Sequence, residues 1–223
     1  MTEIAQRPAS GISAGRIASV LAKNRELSLV LIMLVMGGLV ALQAPQFLSA
    51  SNLTQVSVFA SIVAIAAIGQ AIVVITRNVD LSVEAMIGLV AFVVADILRQ
   101  QILGPTEAML VGIGLGLVLG IVNGLIVVAL KVPAIVATLG TLSIYRGIAF
   151  LLAGGKQVTF TELPPGYSDP ARDTILGIPL FVMIAAVILV VAALAMRQTR
   201  TGRSAYAVGS NPDAAKVLGI RAG

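Results

Sequence analysis

The side chains that usually carry catalysis are missing from this sequence. Its 223 residues contain no cysteine and no histidine, so thiolate chemistry, histidine metal sites and Ser-His-Asp triads are excluded. Ten carboxylates are scattered along the chain, and Lys131, Lys156 and the serines form no nucleophile–base constellation. No metal and no cofactor is expected. The remaining chemistry is hydrogen bonding by isolated polar groups set in apolar surroundings. Asp80 and Ser82 stand in a short polar break, Asn123 in a long apolar block, and Thr138, Thr141, Tyr145 and Arg146 in another. Polar and charged groups at membrane depth are costly and usually face a cavity or a pathway. These seven are therefore candidates for lining a translocation pathway. Each has a structural alternative: interhelical bonding for Asn123, a solvated turn for Asp80 and Ser82, and outward snorkelling for Arg146.

The elements that hold these groups follow from composition. Hydrophobic residues make up 58% of the chain and charged ones 11%, against about 25% charged in soluble domains. The apolar residues come in blocks near the length of roughly 20 that a spanning helix needs. Six blocks are predicted, at 27–44, 56–76, 83–98, 108–130, 133–152 and 179–196. The third is short, and the fifth is interrupted near Gly140 and by Arg146. Without water to satisfy the backbone these blocks must be helices, and their continuity excludes the alternation of a β-barrel. The expected fold is an all-α polytopic bundle of about six spanning helices. It has a cytoplasmic segment 1–26, a transmembrane domain 27–196 and a cytoplasmic tail 197–223.

Orientation is read from the basic residues. Arg7, Arg16, Lys23 and Arg25 precede the first block, and Arg197, Arg200, Arg203, Lys216 and Arg221 follow the last. An even number of crossings with both ends cytoplasmic accounts for both groups. The formal charge of +5 is then a topology signal, and no nucleic-acid partner is expected. The polar N-terminal stretch is not a cleavable signal peptide. Residues 154–177, with Pro164-Pro165-Gly166 at the centre, read as an ordered external loop.

Two further patterns concern packing and docking. Gly112, Gly116, Gly120 and Gly124 lie four apart on one helical stripe, the small-residue arrangement that lets helices approach closely. In the break, Arg77 and Asp80 would pair if that stretch is helical. In the tail, Ser210 or Asn211 caps a short helix, Pro212 fits its first position, Asp213 lies in the first turn, and Gly219 stops it. A helix of two turns is marginal in water by itself. Ala214, Ala215, Val217 and Leu218 leave an apolar surface through which it would dock on something.

These motifs resemble a known family. Gly202, Arg203, Tyr206, Ala207, Gly209, Asn211, Ala214, Ala215, Gly219 and Ile220 follow the pattern G-R-x-x-Y-A-x-G-x-N-x-x-A-A-x-x-x-G-I of bacterial ABC sugar-importer permeases of the ribose/xylose/rhamnose type. The stretch 79–83 is similar to that family's I-D-L-S-V, 120–124 to its G-x-x-N-G, and 132–141 with Tyr145-Arg146-Gly147 to its V-P-x-F-I-x-T-L-G-T…Y-R-G. The resemblance implies an inner-membrane permease for a monosaccharide delivered by a periplasmic sugar-binding protein. It also implies a second permease subunit, identical or related, surrounding membrane lipid, and a cytoplasmic ABC ATPase gripping the coupling helix in the tail. Such a subunit is not an enzyme, and the chain has no G-x-x-x-x-G-K-[ST], since Gly155-Lys156 is followed by Gln157. There are departures. Glu84 stands where the family has glycine, Arg77-Asn78 replace a glycine-rich lead-in, and family members run further, so the chain is expected to be a truncated product. A non-transporting fragment is the alternative description. A self-contained secondary transporter is another, with Asp80 and Glu84 as its only coupling carboxylates.

Overall fold

The computed structural model describes residues 24–167 and 173–220. Most of the N-terminal segment 1–26, the stretch 168–172 and the last three residues lie outside the described residues. Among those described, the helices are α1 (Arg25–Gln43), α2 (Ala50–Ile75), α3 (Val83–Arg99), α4 (Pro105–Ala129), α5 (Ala134–Ala153), α6 (Leu180–Gln198), α7 (Arg200–Ser210) and α8 (Pro212–Val217). Four of them, α2, α4, α5 and α6, are long and apolar enough to cross a membrane; the apolar stretch Leu27–Gln43 of α1 is shorter, and α3 has 17 residues. The chain is an all-α polytopic membrane protein.

Two compact units divide it, Met1–Val56 and Ser57–Gly223. In the first, α1 leads into a 3-10 turn at Pro45–Leu48, and the Asn52 amide donates to the Phe47 carbonyl (2.7 Å). Helix α2 starts six residues before its apolar block. Ser49 caps it, its hydroxyl accepting from the Asn52 N–H (3.3 Å), so residues 51–55, polar apart from Leu53, form a helix start that hydropathy does not see.

In the second unit, α3 packs most extensively on α5 and α4. Ala85, Leu89, Leu119 and Tyr145 form one core cluster, and Val94, Leu98 and Ala108 form another, closed by Leu163 and Tyr167 from the long loop. Helix α5 is continuous through Gly140, contrary to the expected interruption. One glycine costs a helix only about 1 kcal/mol, and buried Thr138 and Thr141 return their hydroxyls to the backbone of the preceding turn.

The loop 154–177 is turn-rich, as its composition predicts. Glu162 closes the 3-10 turn Phe160–Glu162 onto Thr159: its carboxylate accepts from the Thr159 N–H (2.7 Å) and hydroxyl (2.9 Å). Those bonds, the backbone one first, hold the Glu162 carboxyl below its usual range. A two-residue turn, Leu176-Gly177, then joins the small antiparallel pair Thr174–Ile175 and Ile178–Pro179. Both turn residues have positive φ, as a primed hairpin turn requires.

Candidate functional site

Between α2 and α3 the chain does not continue as helix. Arg77 takes a positive φ of 62°, and its guanidinium donates to the Ser210 carbonyl in α7 (2.8 Å). The expected Arg77–Asp80 pairing does not form, because the break is not helical. From Arg77 the chain leads into the interior, where Asp80 Oδ1 accepts from both the N–H (2.8 Å) and the hydroxyl (2.6 Å) of Ser82. This is the local Asx geometry that lets a short side chain replace backbone partners. The Asp80 carbonyl accepts from Gln70 of α2 (2.7 Å).

This turn is tied to α4 and α5. The Asn123 amide donates to the Ser82 hydroxyl (2.6 Å) and reaches Asp80 Oδ2 at 3.4 Å. The Tyr145 hydroxyl lies 3.1 Å from both Asn123 Oδ1 and the Leu119 carbonyl, and can donate to one at a time. Thr138 adds a long contact to the Val79 carbonyl (3.4 Å). Ser82, Asn123, Thr138, Thr141 and Tyr145 are all buried, and no described buried side-chain polar atom lacks a partner. Asn123 stands six residues before the end of α4, about 9 Å of helix, so the network sits below the end of the bundle. Five of the seven pathway candidates thus join the start of α3 to α4 and α5.

Asp80 is half-buried and borders a cavity of about 640 Å³ together with Gln70, Met86, Gly116 and Phe181. Arg146 does not enter the interior, where Tyr145 points instead. It lies exposed on α5 and pairs with Glu84 of α3 (2.8 Å). Sequence reasoning found Arg146 but not its partner, since the two stand 62 positions apart. The glycine stripe of α4 divides as well. At Gly112 a Cβ would lie 2.8 Å from a Val94 methyl, the close approach of α3 and α4. At Gly120 it would meet only the Met86 methyl at 4.0 Å, and at Gly116 and Gly124 nothing within 4 Å.

The tail forms two helices where the sequence suggested one. Thr199 caps α7, accepting from the Gly202 N–H (3.0 Å), and Asn211 caps α8, accepting from the N–H groups of Asp213 and Ala214 (3.1 Å each). Pro212 takes the first position of α8. Gly219 takes a φ of 77°, and the bonds Gly219 N–H to Lys216 and Ile220 N–H to Ala215 (3.0 Å each) complete a Schellman motif. Two motif glycines, Gly202 and Gly209, face inward. A Cβ on Gly202 would collide with the Met196 backbone at the α6–α7 turn, and one on Gly209 with the Ile75 carbonyl at the end of α2. Arg203 donates to the Gln198 carbonyl (2.8 Å), Ala207 is half-buried and Ala215 is buried. Ala214 and Tyr206 remain exposed, together with Val217 at 87% and Leu218 at 77%. Most of the motif therefore shapes the knob, and the most exposed large apolar side chains on it, Val217 and Leu218, stand outside the motif's fixed positions.

The chain has known relatives. The family described as "Branched-chain amino acid transport system / permease component" matches residues 52–223. The Autoinducer 2 import system permease protein LsrC of Enterobacter sp. (strain 638) is 38% identical over 200 residues, 90% of this chain and 57% of that protein. The protein of the same name from Escherichia coli O157:H7 is 36% identical over 198 residues, 89% of this chain and 57% of that one. The one from Salmonella typhimurium (strain LT2) is 40% identical over 176 residues, 79% and 50% of the two chains. The chain thus spans between 50% and 57% of the length of these relatives. No solved structure matches. Spanning-length helices, the tail motif and a family match over more than three quarters of the sequence converge: the chain belongs to the branched-chain amino acid transport system permease components, the multi-pass ABC-importer permeases of the bacterial inner membrane.

Proposed function

We propose that the chain is the membrane part of an importer permease subunit. It carries a monosaccharide or a similar hydroxyl-rich molecule delivered by a periplasmic binding protein, and α7–α8 couple it to a separate cytoplasmic ATPase. The name shared by the relatives makes autoinducer 2 the first solute to test. A second permease subunit, identical or related, would complete the pathway.

The observation that carries this reading is the built knob. Two capped helices hold exposed Val217 and Leu218 away from the bundle, and a six-residue helix with two large apolar side chains in water is unstable without a partner. The knob stands at the end of the unit where Thr76, Asn78, Lys131, Pro133, Ser204 and Lys216 surround a cleft of about 1100 Å³. Arg77, Lys131, Arg197, Arg200, Arg203 and Lys216 make that end basic, which supports placing it in the cytoplasm. A push on α8 would pass through α7 to the Ile75 backbone and Arg77, and from there to the Asp80–Ser82–Asn123 network.

Co-purification with the cognate ATPase tests the docking. Val217→Asp and Leu218→Asp replace exposed side chains and leave the capping residue Asn211 and the terminating Gly219 in place. Each should reduce the retained ATPase by about tenfold, the effect of losing roughly 1.4 kcal/mol from an apolar anchor, at unchanged membrane content of the permease. Retention at the parental level would refute the proposal.

A further inference from the structure

Glu84 and Arg146 form a single hydrogen bond (2.8 Å), and their side chains remain 79% and 61% exposed. Their depth makes this exposure informative. Arg146 lies twelve residues into α5 and seven before its end, about 18 and 10 Å of helix. Glu84 stands two residues after Ser82, which bonds to buried Asn123. The pair is therefore at the level of the hydrocarbon, where a charge facing lipid is costly. The hydrogen-bonding capacity of the pair is also largely unused among the described residues. A guanidinium has five donors and a carboxylate two acceptor oxygens, and one bond leaves most of them without a protein partner among the described residues. Burying ions in that condition costs several kcal/mol each.

The surface around the pair mixes small and apolar residues: Ile87 on α3 and Leu139 and Phe150 on α5 are exposed at helical spacing from Glu84 and Arg146. On α5, Ser143 and Gly147 share its side, and on α3 Gly88 stands one turn from Glu84. A Cβ on Gly88 or Gly147 would meet nothing within 4 Å. The middle of α4 has no charged residue, and Leu110, Ile113 and Leu117 are exposed on it.

We infer that Glu84 and Arg146 line a water-filled passage on the α3–α5 face and bind the hydroxyl groups of an uncharged, hydroxyl-rich solute within it. The pair offers donors and acceptors side by side with no net charge. Such a site pairs with vicinal hydroxyls and gives no preference to an ion of either sign. This rests on the permease reading and names the part of the chain that meets the solute.

The chain has no cysteine, so one introduced thiol reports its own surroundings. Ser143→Cys lies nine residues after Ala134 and ten before Ala153, at the middle of α5, and Ile113→Cys on α4 is the lipid-facing control. With the full chain in sealed vesicles, charged membrane-impermeant thiol reagents should modify Ser143→Cys on the order of tenfold or more faster than Ile113→Cys, since only a hydrated thiol ionises and reacts. Cationic and anionic reagents should react at similar rates. Adding Glu84→Gln should shift their ratio toward the anionic reagent by about tenfold, the effect of one unpaired charge at about 6 Å in water. Molar D-ribose should slow the labelling, and sulfate should not. Labelling of Ser143→Cys as slow as the control, or its ready oxidation to a disulfide-linked dimer, would overturn the passage. A charge ratio unmoved by Glu84→Gln would remove the pair from it, and protection by sulfate, or none by ribose, would overturn the solute class. None of these readouts needs the ATPase. Loss of the passage with ATPase retention intact, or the reverse, shows which of the two proposals has failed.

Discussion

Asn123 is the residue on which three helices depend. Its amide reaches Ser82 and Asp80 before α3, and its carbonyl faces Tyr145 on α5. Replacing it by leucine keeps the approximate volume and removes the donor to the Ser82 hydroxyl, which retains its own bond to Asp80. Interhelical hydrogen bonds in membranes are worth about 0.6 kcal/mol on average and up to about 1.7, so Asn123→Leu should cost about 1–2 kcal/mol. Tyr145→Phe, whose hydroxyl makes one bond at a time, should cost about 0.6. Thermal unfolding in detergent checks both, and equal costs would deny Asn123 its bridging position. Glu162 gives a pH prediction. Its carboxyl is held low in the fold, chiefly by the Thr159 N–H, so its contribution is present above the ordinary carboxylate range and fades as pH falls through the depressed value. Protection of the Thr159 amide, measured against its intrinsic exchange rate at each pH, should fall on acidification in the parent but not in Glu162→Gln. At this scale the sequence showed which residues were out of place in apolar surroundings. It did not show their partners: 41 positions separate Asn123 from Ser82, and 62 separate Arg146 from Glu84, and no local rule links them.

Among the elements, α8 was the most legible and α7 the least, although they adjoin. Every signal for α8 is a local side-chain preference, and Asn211, Pro212, Asp213 and Gly219 each sit where capping physics puts them. Asn211→Ala should therefore loosen α8 by about 1 kcal/mol, seen as faster exchange of the amides of Asp213 and Ala214, while exchange in α7 stays unchanged. Helix α7 contains Gly202, Ser204, Gly209 and Ser210, which are poor helix formers. It persists because two of its glycines are where its backbone meets other backbone. A methyl at Gly209 collides with the Ile75 carbonyl, so Gly209→Ala should displace α7 from α2 and reduce ATPase retention even though residue 209 does not face the partner. The α4 glycines teach the converse. Four-residue spacing is visible in the sequence, but only Gly112 is a close approach, because the tilt of a neighbouring helix decides how far along a stripe two helices touch.

For the whole molecule, hydropathy was enough to give the class and the order of the helices. Membrane helices satisfy their own backbone, so apolar length alone reports them. The sidedness of the chain rests on its basic residues, and the coupling proposal depends on it: a knob that docks on an ATPase must stand in the cytoplasm. A single Leu218→Cys in the cysteine-free chain measures this directly, since Leu218 is exposed on α8. An impermeant thiol reagent should label it in inside-out vesicles and leave it untouched in intact spheroplasts. Labelling from the outside of intact spheroplasts would place α7–α8 in the periplasm and contradict the account.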